Sequence, residues 1–281
     1  MGTSNILRSV SRKSIETGLH AFREKVTTSP FQSTIDHDIE TALMQFDDAQ
    51  GGRKNTADAE DKIVEIVKTT GYVIMPSAIS GDVLEKMYSE FRSIIDAEEG
   101  DFCAVDRHDG AVCVRMKPFL RTNYSRQYPA IFAFYNADAF RSITRKYYTD
   151  CERGAEYVTE IFVHETPETS DPLSGKLHWD RAQTLKFWIY VDELPEEAGP
   201  MLIEPGSGPR NREIRVAEHV GKDKLVGGVD NVVEATRQET TVLAAPAGSI
   251  MIHDTDASHG ASEVMPGYVR RIIRGHCRAR K

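Results

Sequence analysis

Cysteine is scarce in this 281-residue chain: the four are Cys103, Cys113, Cys151 and Cys277, and none forms a Cys-x-x-Cys pair. Their spacing supplies neither a zinc site nor a disulfide framework, so they read as reduced thiols of an intracellular protein. No apolar run approaches the ~18–20 residues that a membrane helix needs, and no secretory hydrophobic region precedes the rest. Positive charge is in deficit, with 35 Lys and Arg against 43 Asp and Glu and a net charge of −8. That balance disfavours nucleic acid or an acidic membrane as partner, because basic surface supplies most of the affinity for either. The sequence shows no internal repeat.

What is present is ordinary for a globular protein, 40% hydrophobic and 28% charged, and long enough for one large domain with a generous core. The expected location is cytoplasmic. Met1 to Ser14 carries Arg8, Arg12, Lys13 and several serines without an acid, which resembles a weak transit peptide if the source is eukaryotic; a frayed or helical arm is the plainer alternative. Residues 1–57 are expected to form an N-terminal helical arm and linker, with helical spacing at Ile15, Leu19, Phe22 and Val26 and again at Ile35, Ile39, Leu43 and Phe46. Asp47 to Ala57, centred on Gly51 and Gly52, reads as a linker or loop.

Residues 58–281 are expected to form the main domain. Asp58 to Thr69 predicts a helix with Gly71 at its C-terminal end, followed by a short strand Tyr72–Met75 that Pro76 stops. Ser80 starts a second helix whose apolar stripe includes Val83, Met87, Phe91 and Ile94. Residues 98–127 look loop-rich with short strands, and Phe132 to Tyr148 predicts a further helix. From Ala155 short β-branched and aromatic runs alternate with turn signals, at 157–163, 185–191, 201–204, 241–243, 249–253 and 268–276. So many short strands predict a jelly-roll core over about 155–281, mainly β with flanking helices, instead of a parallel α/β sheet.

Leu177-His178-Trp179-Asp180 places an imidazole and a carboxylate two residues apart. In a strand those side chains point to one face and can converge on one ion. A second histidine would complete the two-histidine, one-carboxylate set that leaves three positions open at a non-haem Fe(II). Two candidates follow the apolar strand Ile250–Ile252, namely His253 and His259, the latter before Gly260. Arg270 stands eleven residues after His259, on a strand face shared with Ile272 and Arg274. A buried arginine there would bind a carboxylate in bidentate fashion.

Taken in order, these segments resemble the phytanoyl-CoA dioxygenase-like branch of the Fe(II)/2-oxoglutarate oxygenases. Thr70–Pro76 is similar to its opening strand, His178-Trp179-Asp180 to its metal motif, and Phe187–Asp192 to the strand that follows. Gly199–Ser207 resembles its Pro-Gly-Ser-His segment, and Ala247–Ser249 through His259-Gly260 to Arg270 its distal histidine and cosubstrate arginine. Gly208 departs from the pattern where a histidine is usual, and the usual asparagine between His259 and Arg270 is missing, which leaves loop structure and substrate fit in doubt. The likeness covers about residues 60–281.

The resemblance implies a double-stranded β-helix, a metal held by His178, Asp180 and His259, and Arg270 on the distal carboxylate of 2-oxoglutarate. It implies Fe(II), 2-oxoglutarate and O2 as cofactors, with ascorbate as a stimulant. Lys176, two before His178, is expected to share its face and help hold 2-oxoglutarate, with a solvated edge lysine as the alternative. Trp188 is placed on the pocket wall or in the core, Arg274 is the runner-up to Arg270, and Arg271 should face away. The implied reaction oxidises a C–H bond of a small metabolite and releases succinate and CO2. Hydroxylation is the default outcome, and desaturation or cyclisation use the same oxidising power. Asp180 argues against halogenation, since related halogenases lack this carboxylate. Arg115 and Arg121, among the basic residues of 105–126, are candidate substrate-binding groups for an anionic small molecule. The competing readings are a non-catalytic metal-binding jelly roll and a cupin-like isomerase or hydrolase, and Arg270 speaks against the latter.

Overall fold

Inward and outward side chains alternate along the long strands, and this alternation builds two facing antiparallel sheets. The structure is a computed structural model, which describes residues 29–97, 102, 104–108, 110–116, 124–150, 154–168, 176–217, 232–235 and 239–279. The helices are α1 (Gln32–Ala49), α2 (Thr56–Thr69), α3 (Gly81–Ile95), α4 (Tyr124–Gln127), α5 (Pro129–Phe134), α6 (Asp138–Tyr147) and α7 (Ser207–Ala217). The strands are β1 (Tyr72–Met75), β2 (Ala104–His108), β3 (Ala111–Met116), β4 (Ala155–Pro167), β5 (His178–Asp180) and β6 (Thr184–Ile189). They continue as β7 (Met201–Ile203), β8 (Val232–Glu234), β9 (Thr241–Val242), β10 (Ile250–Asp254), β11 (His259–Ala261) and β12 (Val269–Ala279).

The larger sheet has the order β1-β10-β6-β12-β4-β3-β2, and the smaller one β8-β5-β11-β7-β9. Thus β1, β2 and β3 join the large sheet, which draws strands from well before residue 155. The short strands expected within 98–127 are β2 and β3, which form a hairpin edge on β4. Every residue of β6 is buried, as befits a strand covered on both faces. Leu185, Phe187 and Ile189 face the helices and pack in one core with Phe91, Phe134 and Phe140. Trp188 and Tyr190 face the other way and share a second core, between the sheets, with Met201, Met251 and Ile272.

The helical layer follows its apolar spacing. Ile35, Ile39 and Leu43 recur every four residues on α1 and are fully buried. The linker or loop expected over 47–57 is a short loop between α1, which runs on to Ala49, and α2, and buried Asp47 accepts from Lys62 Nζ at 2.6 Å and from the Asn55 amide at 3.1 Å. Asn55 caps α2 through the Ala57 amide. The expected helix 132–148 is broken at 135–137 into α5 and α6, which brings Phe134 edge-on to both Tyr135 and Phe140. Two glycines permit close approaches that a side chain would block. Gly71 has φ +105° and a Cβ there would lie 2.5 Å from Ala257 Cβ, just before His259. Gly248 has φ +76° and a Cβ would lie 1.9 Å from the Ile79 carbonyl oxygen, at the turn into β10. Among the described residues no helix is long and apolar enough to cross a membrane.

Candidate metal centre and active-site cavity

His178 and Asp180 sit two apart on β5, and β5 pairs with β11 so that His259 lies directly opposite His178. The strand spacing expected from the sequence and the cross-strand register therefore bring three donors to one point, all within 4.8 Å of one another. Asp180 Oδ1 lies 4.0 Å from His178 Nε2 and 3.9 Å from His259 Nε2. Both rings are tied in the same way. His178 Nδ1 lies 2.7 Å from the Lys176 carbonyl and His259 Nδ1 2.9 Å from that of Ala257. A carbonyl can only accept, so Nδ1 carries the proton and each Nε2 lone pair faces the centre.

Charge favours the same outcome. Burial lowers both imidazoles, His259 to about 3, so they are neutral near pH 7. Burial pushes the Asp180 carboxyl up, but Lys186 and the two histidines outweigh it and hold it at about 2. Two neutral imidazoles and one carboxylate are the protonation states a divalent metal needs. At metal bonds of about 2.1 Å, neighbouring octahedral donors stand about 3 Å apart, so small inward rotations of these side chains would close the site. The residues fit such an ion, and three nitrogen and oxygen donors leave coordination positions free. Among the described residues this is the one metal-competent cluster found. His253, the other candidate histidine, is fully buried with its ring 4.5 Å from that of His259, and it is not part of the cluster.

The centre opens on a cavity of about 310 Å³ whose walls include the three donors with Lys186, Trp188 and Arg270. Arg270 is buried, donates to the Gly199 carbonyl and to Thr166 Oγ1, each at 3.2 Å, and leaves its Nε without a partner. Burial, with Arg274 nearby, lowers it to about 10, still charged. Arg271 faces away and pairs with Glu165 and Asp192, as expected.

Lys176 is placed otherwise than expected. It precedes β5, so the alternation of the strand does not govern it; its side chain is 85% exposed and pairs with Glu234. Its backbone carbonyl, not its ammonium, serves the site. The cavity lysine is Lys186, on β6 of the opposite sheet, with Nζ 3.1 Å from Asp180 Oδ2. Its sequence signal was a lone lysine inside an otherwise apolar strand. Arg115 is spent in an ion pair with Glu160 and is not among the lining residues. Arg121 lies outside the described residues, as do Cys103 and Cys151.

Helix α7 was not foreseen, and it braces both halves of the donor set. Arg215 donates to the Asp180 carbonyl at 2.7 Å and also pairs with Asp256. Asn211 donates to the Asp256 carbonyl and Ser258 Oγ, and Ser207 Oγ accepts from the Ser258 amide. The loop before His259 and the strand carrying Asp180 are thus held by one helix, which begins at the Ser207-Gly208 step where the family pattern was broken.

The family model for phytanoyl-CoA dioxygenase (PhyH) matches residues 67–272. No curated protein matches the chain. Among solved structures, the epimerase SnoN in complex with Fe3+, alpha ketoglutarate and nogalamycin RO is 15% identical, with a TM-score of 0.54 over 79% of this chain and 84% of that one. AviO1 from Streptomyces viridochromogenes Tue57 is 12% identical, with a TM-score of 0.51 over 78% and 94%. EvdO2 from Micromonospora carbonacea var. aurantiaca is 15% identical, with a TM-score of 0.51 over 78% and 90%. At these identities the likeness is one of fold, the jelly-roll core.

Proposed function

Because the chain belongs to the phytanoyl-CoA dioxygenase family of iron- and 2-oxoglutarate-dependent oxygenases, we propose that His178, Asp180 and His259 hold the iron and Arg270 the cosubstrate while a C–H bond of a small molecule is oxidised. The observation that carries this is the convergence of the three donors on one cavity that also holds a buried arginine with an unpartnered Nε. When bound, iron and 2-oxoglutarate together supply an oxidant from O2, with succinate and CO2 as by-products.

The side chains account for the rest. The carbonyls of Lys176 and Ala257 fix the two rings in the metal-binding tautomer. Lys186 occupies Asp180 Oδ2 and leaves Oδ1 to face the histidines. Arg270, backed by Thr166 and Gly199, presents a fork suited to the distal carboxylate of a diacid. Trp188 and Ile272 supply apolar wall that keeps water from the reacting end.

The test is anaerobic addition of Fe(II) and 2-oxoglutarate to the purified protein. A weak visible charge-transfer band is expected, and His178→Ala and Asp180→Ala should each lose it. Aerobic succinate release across a panel of small metabolites then narrows the substrate. A protein that binds iron but gives neither band nor succinate is a metal-binding jelly roll, and the proposal fails.

A further inference from the structure

The inward row of β12 carries Arg270, Ile272, Arg274, His276 and Arg278. The cations around the inter-sheet space are nearly all matched. Arg115 and Arg278 share Glu160, Lys186 holds Asp180, and Arg270 has the Gly199 carbonyl and Thr166. Arg274 is the exception. It lines the cavity with the three metal donors, yet no hydrogen bond or ion pair joins it to any described residue, and its Nε is buried without a partner. Its guanidinium carbon lies over two rings, 5.1 Å from the centre of Phe162 and 5.4 Å from that of Trp188. Aromatic faces offset part of the cost of burying the charge but accept none of its N–H donors as a carboxylate would. The other carboxylate lining the cavity, Asp106, is on an exposed residue and makes no ion pair with it.

Arg270 and Arg274 leave one strand four residues apart, roughly 13 Å between Cα atoms, with Ile272 between them. They mark two subsites. We infer that Arg274 is the anchor for an anionic substrate: a carboxylate or comparable small oxyanion binds its free N–H donors and sets a neighbouring C–H bond beside His178, Asp180 and His259. The inference rests on the oxygenase reading and names its substrate class. It also moves the anion site from the expected Arg115, already paired, to Arg274.

The test uses full-length protein in two forms. Metal-free wild type and Arg274→Leu are titrated with short monocarboxylates, their primary amides and alkyl phosphonates, with Tm as the readout. The wild type should show a saturable rise with anions and none with amides, and Arg274→Leu should lose at least tenfold in apparent affinity. Arg270→Leu should keep the response. Arg274→Lys, which keeps the charge but lacks the fork, should fall between and covers the case of a Leu variant that fails to fold. A stronger response to phosphonates than to carboxylates assigns a tetrahedral anion to the same anchor. In protein loaded anaerobically with Fe(II) and 2-oxoglutarate, Arg274→Leu should keep the charge-transfer band and the wild-type cosubstrate affinity. The inference is overturned if anions and amides act alike, if Arg274→Leu binds anions as well as the wild type, or if it loses 2-oxoglutarate. Absence of the band in the wild type would unseat the oxygenase reading instead, and the metal-free titration would still decide on Arg274.

Discussion

Replacing Arg270 by leucine separates cosubstrate binding from folding. The guanidinium is buried and presents donors to the cavity while two of its N–H groups hold Gly199 and Thr166. A bidentate bond to the distal carboxylate of 2-oxoglutarate comprises two charge-assisted hydrogen bonds, each worth about 1.5–3 kcal/mol. The Thr166 hydroxyl stays, so a net loss of about 3–4 kcal/mol is expected, roughly a 200- to 1000-fold rise in Kd. Stability should change little. Two ordinary hydrogen bonds, each about 1 kcal/mol, are lost, but the cost of burying an unneutralised charge disappears with them. The assay is an anaerobic titration of the charge-transfer band at saturating Fe(II), with the Tm of the metal-free protein measured alongside. A rise in Kd below about fivefold, with the fold intact, would refute the assignment of Arg270 to the cosubstrate.

Lys186→Met should leave the half-buried Asp180 carboxylate unpaired and lower the stability of the metal-free protein by about 2 kcal/mol, while Mn(II) supplies the missing cation; an unchanged Mn(II)-induced Tm rise would count against this. A second expectation concerns pH. His276 is buried with both ring nitrogens unpartnered, and burial, with Lys186 and Arg274, holds its pKa well below the usual value. It is neutral when folded and takes up a proton on unfolding below about pH 6.5, so it destabilises the fold as pH falls through that value. Glu90 and Asp254, raised to about 7 by burial, act in the opposite direction, so the informative quantity is the difference between variants. His276→Phe should gain about 1.4 kcal/mol on the wild type between pH 7.5 and 5.5 in urea midpoints. Parallel profiles would contradict it.

The parts of the site legible in the sequence were those set by local geometry. Strand alternation placed His178 and Asp180 on one face, and the likeness to a known family chose His259 over His253 and set Arg270 eleven residues on. Lys176 fails where that geometry stops, because it lies before β5 begins. Helix α7 has almost no apolar stripe to read: its buried residues are Ser207, Gly208 and Asn211, held by polar contacts to the loop at 254–258. Short strands within 98–127 were legible, but not their place in the large sheet, which is set by the pairing of β3 with the distant β4.

By itself the sequence determined the donor chemistry, the two-residue spacing on β5 and the alternating pattern that makes two sheets. Only the tertiary structure decided which charges are neutralised, because ion pairing depends on distances through space between strands far apart in the chain. It sent Lys186 across the sheets to Asp180, consumed Arg115 and Arg278 on Glu160, and left Arg274 facing the cavity without a counter-ion.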